Sequence, residues 1–381
     1  MPEIHATLSA SGSHRWLNCT PSCVLEKGFE DKTSTYAAEG TLAHGLGEIS
    51  LKRNLEQMSE SQFKKELKKL MINDLWTADM PDYVDRYTNI CMEKVAEAKR
   101  LDELAEFKVE QRLDFSKWVP GGFGTGDFVI VADGRVEICD LKYGKGVPVS
   151  AVNNSQMMLY ALGAISEFDF MYEIENVKMT IIQPRLDIIS EWEISKKKLL
   201  KWAEDFVKPR AKMAIAGEGE LVAGEHCTFC KAKAVCRARA EKNLEIAKYE
   251  FRDSKTLSID EIADVLNRVD ELVKWSTDVK DYALEEALKG TSYPGFKVVE
   301  GKSNRKYTDT DKIESLLFDN GYTEIYKPKE LLGLTAMEKL VGKKKLIELI
   351  GEYIEKPQGK PVLVPSTDKR EVYNSAIADF K

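Results

Sequence analysis

The sequence lacks several features that would assign a protein to a class at once. Its 381 residues contain no apolar run approaching the length of a membrane-spanning helix, and the first residues are polar. We find no internal repeat, no low-complexity tract and no helicase motif. The net charge of −7 lacks the basic excess of a general nucleic-acid coat protein. These absences predict a cytoplasmic protein with no membrane partner, and the length predicts a main domain plus an appendage.

Histidine and cysteine are also scarce, at four and seven residues. In a reducing compartment, cysteines favour metal binding or burial over disulfide formation. Cys91 and Cys139 lie on apolar faces and are predicted to be buried. Three others have the spacing Cys227-x₂-Cys230-x₅-Cys236. Three close thiols need a fourth ligand, and no second Cys or His pair follows them, so the metal of such a site stays open.

A β-hairpin is the strongest local signal in the chain. Two β-branched runs, 128–131 and 135–141, flank Asp133-Gly134, and this dipeptide favours a two-residue turn with positive φ. A two-residue turn fixes the register of the strands, which places Asp127 opposite Asp140.

The predicted hairpin brings together side chains whose charges must be balanced. Lys142 is two residues beyond Asp140 and therefore shares its face. Two opposed carboxylates repel each other, so they need a shared proton or a bound cation, and Mg²⁺ prefers carboxylate oxygens. Taken alone, the pattern also fits the solvated polar face of an ordinary hairpin.

Three short motifs occur in order around this hairpin, the last on a helix predicted at 153–165. They are Gly124-Thr125-Gly126-Asp127, Asp140-Leu141-Lys142 and Gln156-Met157-Met158-Leu159-Tyr160. The series resembles the RecB-like branch of the PD-(D/E)XK nucleases, which carries G-x-x-D, D-x-K and Q-x-x-x-Y in this order. Gly40-Thr41-Leu42-Ala43-His44 matches the G-x-x-x-H that this family places on an earlier helix.

The resemblance implies roles for individual residues. The metal ligands, for Mg²⁺ or Mn²⁺, would be His44, Asp127, Asp140 and the backbone carbonyl of Leu141. Asp127, Asp140, Lys142, Gln156 and Tyr160 would form the catalytic set. For an isolated histidine, a surface pair between His44 and Glu48 is the alternative.

The resemblance also implies an α/β fold of the restriction-endonuclease-like class, a mixed sheet flanked by helices. We assign residues 1–245 to this domain, with a helical insertion at about 52–104. The predicted core comprises a strand at 107–115, the hairpin, a helix at 153–165, strands at 177–183 and 188–194, and a helix at 196–216. Residues 246–381 form an α+β extension that is mainly helical.

RecB-like nucleases of the AddB-like, iron–sulfur type join three C-terminal cysteines to one near the N-terminus. Cys19 stands in the matching place. The resemblance therefore implies a [4Fe–4S] cluster on Cys19, Cys227, Cys230 and Cys236. Structural zinc and plain reduced thiols are the alternatives.

The C-terminal extension adds one candidate for DNA contact. Lys302, Arg305 and Lys306 form a compact basic turn, which suits a phosphate contact but also suits a solvated hairpin tip. A long helix is predicted at 257–287, helical structure at 312–355, and a tail that is extended and then helical. The sequence segments of this C-terminal extension resemble an uncharacterised family found in phage and prophage genomes.

The resulting hypothesis is a metal-dependent DNA nuclease, more specifically an exonuclease, that hydrolyses phosphodiester bonds. DNA would be its partner, together with proteins of phage or bacterial replication, recombination or repair. One alternative is a catalytically inactive nucleic-acid-binding or scaffold protein that keeps the fold and a structural zinc or iron–sulfur site. Another is a zinc-stabilised interaction protein whose hairpin carboxylates are incidental.

Overall fold

The computed structural model describes residues 6–30, 35–246, 257–327, 330–357, 359, 361–365 and 370–373. The chain divides into two compact units, Met1–Lys255 and Thr256–Lys381, and each is described by itself. No helix in these described ranges is both long enough and apolar enough to cross a membrane.

The first unit is built on a five-stranded mixed sheet. Its strands lie in the order β1-β2-β3-β4-β5, with β3 and β4 parallel and the other neighbours antiparallel. The helix α6 connects the two parallel strands. The bounds are β1 Glu106–Asp114, β2 Phe123–Ala132, β3 Arg135–Leu141, α6 Ser155–Tyr172, β4 Asn176–Gln183 and β5 Ile188–Ser195.

Helices cover both faces of this sheet, each over its own apolar core. One core packs α6 together with α1 (Ser13–Asn18), α7 (Lys196–Trp202) and α8 (Lys208–Ala216). The other core packs α3 (Thr35–Asn54), α4 (Glu60–Met71) and α5 (Met80–Leu101). This mixed sheet between two helical layers confirms the predicted restriction-endonuclease-like α/β class.

The predicted elements of this unit are present, with shifted bounds and one irregular helix. The predicted insertion at 52–104 comprises α4 and α5, while α6 runs seven residues past its predicted end at 165. The predicted helix at 196–216 contains a π-helical stretch, Ala203–Val207, directly before the segment that carries Pro209. The short α2 (Ser22–Leu25) and α9 (Arg237–Leu244) complete the unit.

A buried charge network ties α5 to the sheet. The Lys94 ammonium lies 2.6 Å from Glu137 Oε1 on β3, and both side chains are almost fully buried. Thr180 donates its hydroxyl to the same oxygen at 2.7 Å, and Glu191 is a second partner of Lys94. The buried carboxylate of Glu137 is tolerated because the Lys94 ammonium compensates its charge and the Thr180 hydroxyl donates a hydrogen bond to it.

The second unit combines helices with short strand pairs. Its long helix α10 (Ile259–Leu288) agrees with the helix predicted at 257–287 and begins with a capping box of Ser258 and Glu261. The remaining elements are β6 Phe296–Glu300, β7 Lys306–Tyr307, α11 Thr310–Asp319, β8 Tyr326–Lys327, β9 Glu330–Leu331, α12 Leu334–Val341, α13 Lys343–Ile350, β10 Ile354–Glu355 and β11 Pro361–Pro365.

Two predictions for this unit need correction. Residues 312–355 are not continuously helical, because the β8–β9 pair interrupts them and β10 ends them. The basic turn is not the tip of a hairpin either, since β6 pairs with β11 and β7 pairs with β10. The helical end predicted for the tail lies outside the described residues.

Candidate metal centre

The hairpin has the register that the sequence predicts. Ala132 pairs with Arg135, and the ladder continues as far as Phe128 and Cys139. Of the two turn residues only Gly134 has a positive φ, at 73°. Asp127 and Asp140 occupy the next position along the two strands.

Asp127 and Asp140 have different polar partners. Asp127 does not continue the ladder with Asp140; instead its Oδ2 accepts a hydrogen bond of 2.7 Å from the backbone N–H of Leu141. Leu141 therefore contributes an amide to this patch, and the ligand role of its carbonyl stays a prediction. Asp140 is 2% exposed, and its Oδ2 lies 2.7 Å from the Lys142 ammonium.

His44 reaches this patch from the opposite helical layer. Leu42, Leu46 and Ile49 are buried and anchor α3 on its core, which leaves His44 on a neighbouring side of the helix. Its Nδ1 lies 3.2 Å from Asp127 Oδ1. His44 therefore contacts Asp127, the hairpin carboxylate that the motif resemblance indicates, rather than forming a surface pair with Glu48.

Gln156 and Tyr160 complete a chain of hydrogen bonds. Lys142 Nζ donates to Gln156 Oε1 at 3.2 Å, and Gln156 Nε2 donates to the Tyr160 hydroxyl, also at 3.2 Å. The two side chains are one turn apart on α6 and therefore act on the same face. Gly124 is required beside them, because a Cβ there would lie 2.6 Å from Cε1 of the Tyr160 ring.

The charges of this patch shift the pKa values of its members in opposite directions. Burial lowers the pKa of His44, but the carboxylates of Asp127 and Asp140 outweigh it and raise the pKa to about 9. Burial opposes ionisation of Asp127, yet His44, Lys142 and the Leu141 amide hold its pKa below the usual range. Burial raises the pKa of Asp140. Without a metal, protonated His44 and Lys142 therefore balance the carboxylate charge.

Glu110 is a member of this patch that sequence reasoning missed. It lies in the middle of β1 with a φ of +52°, and its carboxylate shares the neighbourhood of His44 and Asp127. Burial, and secondly the charge of Asp127, raise its pKa to about 7. Glu110 lies seventeen residues before Asp127 and belongs to no recognised motif. The only signal in the sequence was an acidic residue within a predicted strand.

The donor set fits a hard divalent cation. Carboxylate oxygens and one imidazole suit Mg²⁺ or Mn²⁺. Asp140 Oδ2 is buried with the Lys142 ammonium 2.7 Å away as its partner, which leaves a further lone pair of this oxygen for a cation. A buried carboxylate oxygen with an open lone pair is the state that a bound cation would satisfy.

The candidate iron–sulfur cysteines lie where the N-terminal helices meet the segment after α8. Cys19, Cys227 and Cys230 are buried, and Cys236 is half-buried at the start of α9. Cys19 Sγ accepts from the N–H of Val222 at 3.5 Å. Cys19 and Val222 are 203 residues apart in the sequence, so this contact joins the N-terminal helices to the segment after α8, and the cluster itself stays a prediction.

The same region is held by polar contacts that involve no cysteine. Arg15 donates to the carbonyl of Phe229, and Glu26 accepts from the N–H of Lys231 at 2.7 Å. Arg15 and Glu26 also form an ion pair of 2.7 Å. Ordinary hydrogen bonds therefore bring Cys19 to the cysteine segment.

The sulfur atoms fit a cluster in part. Backbone N–H groups point at the sulfurs of Cys19 and Cys227, as they do around iron–sulfur clusters. Burial raises the pKa of Cys230 to about 12 and that of Cys23 to about 11, so these thiols stay neutral until a cation binds. Cys23 is also buried and within electrostatic range of Cys19, so it is a second candidate for the fourth ligand.

The described cysteines do not form a preformed single-ion site. Among the residues described, the one set of His, Cys, Asp or Glu donors within 4.8 Å of one another is His44, Glu110 and Asp127. Four thiolates on one zinc ion would lie about 3.8 Å apart, given a Zn–S bond of about 2.3 Å.

The basic turn of the second unit is mostly engaged in ion pairs. Arg305 pairs with Glu338, and Lys306 pairs with Glu355 at 2.9 Å. Lys302 is exposed. The predicted DNA contact at these three residues stays a prediction.

Fold and site together define a restriction-endonuclease-like α/β protein with a His, carboxylate and lysine centre at the hairpin. By sequence, the chain belongs to the DUF2800 family, described as a protein of unknown function, whose model matches residues 5–371. It is also similar to a solved structure titled "Crystal structure of SSO0001". That alignment covers 51% of this chain and 94% of the other, with 18% identity and a TM-score of 0.22.

Proposed function

We propose that this protein is a metal-dependent DNA nuclease that hydrolyses phosphodiester bonds. One observation carries the proposal: His44, Asp127, Asp140 and Lys142 converge on one patch from α3, β2 and the end of β3. Their order along the chain and their residue types match those of RecB-like nucleases. Gln156 and Tyr160 extend the patch from α6.

In this proposal His44, Asp127 and Asp140 hold Mg²⁺ or Mn²⁺, with the Leu141 carbonyl as a further ligand. When bound, such a cation activates water and stabilises negative charge on the phosphate. Neighbouring residues fix the orientation of the ligand side chains. The Leu141 amide keeps Asp127 Oδ2 in place, so that Oδ1 faces His44.

Lys142 would act on the charge that develops during hydrolysis. Its ammonium is held between Asp140 and Gln156, and nearby carboxylates keep its pKa raised despite burial. It is therefore fully protonated at neutral pH and can stabilise the phosphorane-like transition state or orient the attacking water. The Tyr160 hydroxyl orients Gln156, which in turn orients Lys142.

The finer assignments belong to the same proposal. An exonuclease acting in the cytoplasm, in phage or bacterial DNA replication, recombination or repair, is the form that the resemblance favours. The cysteines Cys19, Cys227, Cys230 and Cys236 would hold a [4Fe–4S] cluster, with structural zinc as the alternative. Such a cluster would fasten the N-terminal helices to the segment after α8.

The test is degradation of linear and circular DNA by the full chain, with Mg²⁺, with Mn²⁺ or with a chelator. The variant Asp140→Asn removes one ligand, whereas Asp133→Asn is a matched control in the turn of the same hairpin. Asn-Gly forms the same turn as Asp-Gly, so the control should fold normally. We expect metal-dependent cleavage that Asp140→Asn abolishes and Asp133→Asn retains. Loss of linear DNA alone indicates an exonuclease. Absence of cleavage in every metal refutes the proposal.

A further inference from the structure

An aromatic ring is exposed between two of the candidate iron–sulfur cysteines. Phe229 is 84% exposed at the end of the 3₁₀ turn Glu225–Phe229, whereas Cys227 and Cys230 on either side of it are buried. Single exposed apolar residues are common on protein surfaces, so the surroundings of this ring decide its meaning.

Two cationic side chains hold the backbone of this turn. The Arg15 guanidinium donates to the carbonyl of Phe229 at 3.4 Å, and the Lys233 ammonium donates to the carbonyl of Thr228 at 3.3 Å. Both cations therefore lie beside the base of the exposed ring. A nucleic-acid base that stacked on this ring would have its phosphates close to positive charge.

The segment that carries Phe229 is basic, although the chain is acidic. Residues 226–242 contain five Lys or Arg residues and one Glu, whereas the whole chain has a net charge of −7. Arg239 is buried, but the other four cations are exposed or half-buried, and they are Lys231, Lys233, Arg237 and Lys242. This charge favours a polyanion over a protein partner, because lysine is depleted in protein–protein interfaces. An aromatic ring within a basic surface is the combination that binds single-stranded nucleic acid.

A hydrogen bond connects this surface with the proposed metal centre. The hydroxyls of Ser13, the first residue of α1, and Ser155, the first residue of α6, are 2.7 Å apart. Ser155 precedes Gln156, which accepts from Lys142. Arg15 is two residues beyond Ser13, and the six residues of α1 span only about 9 Å. A strand with one phosphate at the centre can therefore follow α1 to the exposed ring.

We propose that Phe229 stacks on a base of single-stranded DNA and that the basic segment 226–242 contacts the phosphates of the same strand. The inference rests on the proposed nuclease and assigns the residues that hold its substrate outside the metal centre. Stacking on Phe229 requires an unpaired base, because neighbouring pairs cover both faces of a base in a duplex. Every base has a π-face, so the contact does not depend on sequence.

Binding of a labelled single-stranded oligonucleotide to the full chain, with no added metal, tests the inference without cleavage. Phe229→Ala should weaken binding about 5- to 150-fold, the loss expected for one stacked base. Phe229→Tyr keeps a ring and should bind as the wild type does. Phe170→Ala is the matched control, because Phe170 is 80% exposed and lies about 22 Å along α6 from Ser155. It should retain the wild-type affinity.

Two results of this titration overturn the inference. One is a Phe229→Ala protein that binds single strands as tightly as the wild type, which would leave the ring to another partner. The other is a wild type that does not bind single strands.

A second measurement separates stacking from a general loss of the surface. A fluorescent purine analogue that is quenched by stacking is placed at successive positions of the strand. The wild type should quench it at one position, and Phe229→Ala should not. A duplex of the same length should bind Phe229→Ala and the wild type equally, since it offers no unpaired base. An equal loss of affinity for the duplex contradicts stacking.

Failure of this inference is distinguishable from failure of the nuclease proposal. Metal-dependent cleavage together with unchanged binding by Phe229→Ala refutes only the stacking surface. Single-strand binding that depends on Phe229, without cleavage in any metal, refutes only the nuclease.

Discussion

Replacing Gly124 with alanine should disturb the centre through Tyr160. The three atoms nearest to a Cβ at position 124 all belong to the Tyr160 ring, at 2.6, 3.4 and 3.5 Å. The ring is 7% exposed, so it has little room to retreat. Overpacking of this kind costs about 1–3 kcal/mol of unfolding free energy. We expect Gly124→Ala to lose stability within that range.

The same displacement should reach Gln156 and Lys142, which we propose to be part of the catalytic set. Tyr160 accepts the hydrogen bond that orients Gln156, and Gln156 accepts from Lys142. If the ring moves, Gln156 loses its anchor and the Lys142 ammonium gains freedom. We therefore expect Gly124→Ala to reduce the turnover of DNA cleavage at temperatures where the protein remains folded.

A double-mutant cycle with urea unfolding measures this coupling. In the background Tyr160→Ala the obstructing atoms are gone, so Gly124→Ala should cost little, and the coupling energy should be about 1–3 kcal/mol. Gly28→Ala is the matched control, because a Cβ at Gly28 meets nothing within 4 Å. The reasoning is refuted if Gly124→Ala is harmless in the wild type, or equally costly in both backgrounds.

Three further predictions follow from the charges. Lys142→Ala should bind metal and DNA nearly as well as the wild type while turnover falls, as single-turnover kinetics would reveal; an equal loss of DNA binding would indicate a phosphate anchor instead. Lys94→Met should lower the free energy of unfolding in urea by about 3 kcal/mol. This is the low end of the range for a broken buried ion pair, because Lys178 remains 3.8 Å from Glu137. The double variant Lys94→Met/Glu137→Met should recover most of the lost stability. Between pH 6.5 and 8, Mn²⁺ affinity should rise about tenfold per pH unit, because His44, with a pKa of about 9, must lose its proton to bind; a flat calorimetric profile would exclude His44 as a ligand.

Local signals explain why much of the fold could be predicted. The Asp133-Gly134 turn and its flanking runs define a register within a few residues, and the structure has that register. The order of strands and helices follows from hydrophobic periodicity, since each element buries one face. The prediction failed where periodicity is weak, as in residues 312–355, where two-residue strands carry no alternating pattern.

The site was less accessible to such reasoning because it depends on irregular backbone. Counting from the turn correctly placed Asp127 and Asp140 near each other. It could not show that Asp127 bonds to the Leu141 amide. Glu110 was missed because its place beside His44 and Asp127 depends on one positive φ and on a reversal of the faces of β1, since Val109 packs against the core of α3 and α5 whereas Leu113 belongs to the core of α6. No spacing rule encodes either property.

The most direct test of the central claim asks whether a cation held by this centre contacts the phosphate that is cleaved. A linear DNA with sulfur in place of one non-bridging oxygen at each linkage is compared with ordinary DNA, in Mg²⁺ and in Mn²⁺. Sulfur is a poor ligand for Mg²⁺ and a better one for the softer Mn²⁺. The account predicts that the substitution slows cleavage strongly in Mg²⁺ and that Mn²⁺ restores most of the rate. Cleavage of both DNAs at equal rates in a chelator, or of neither DNA with either metal, would contradict it.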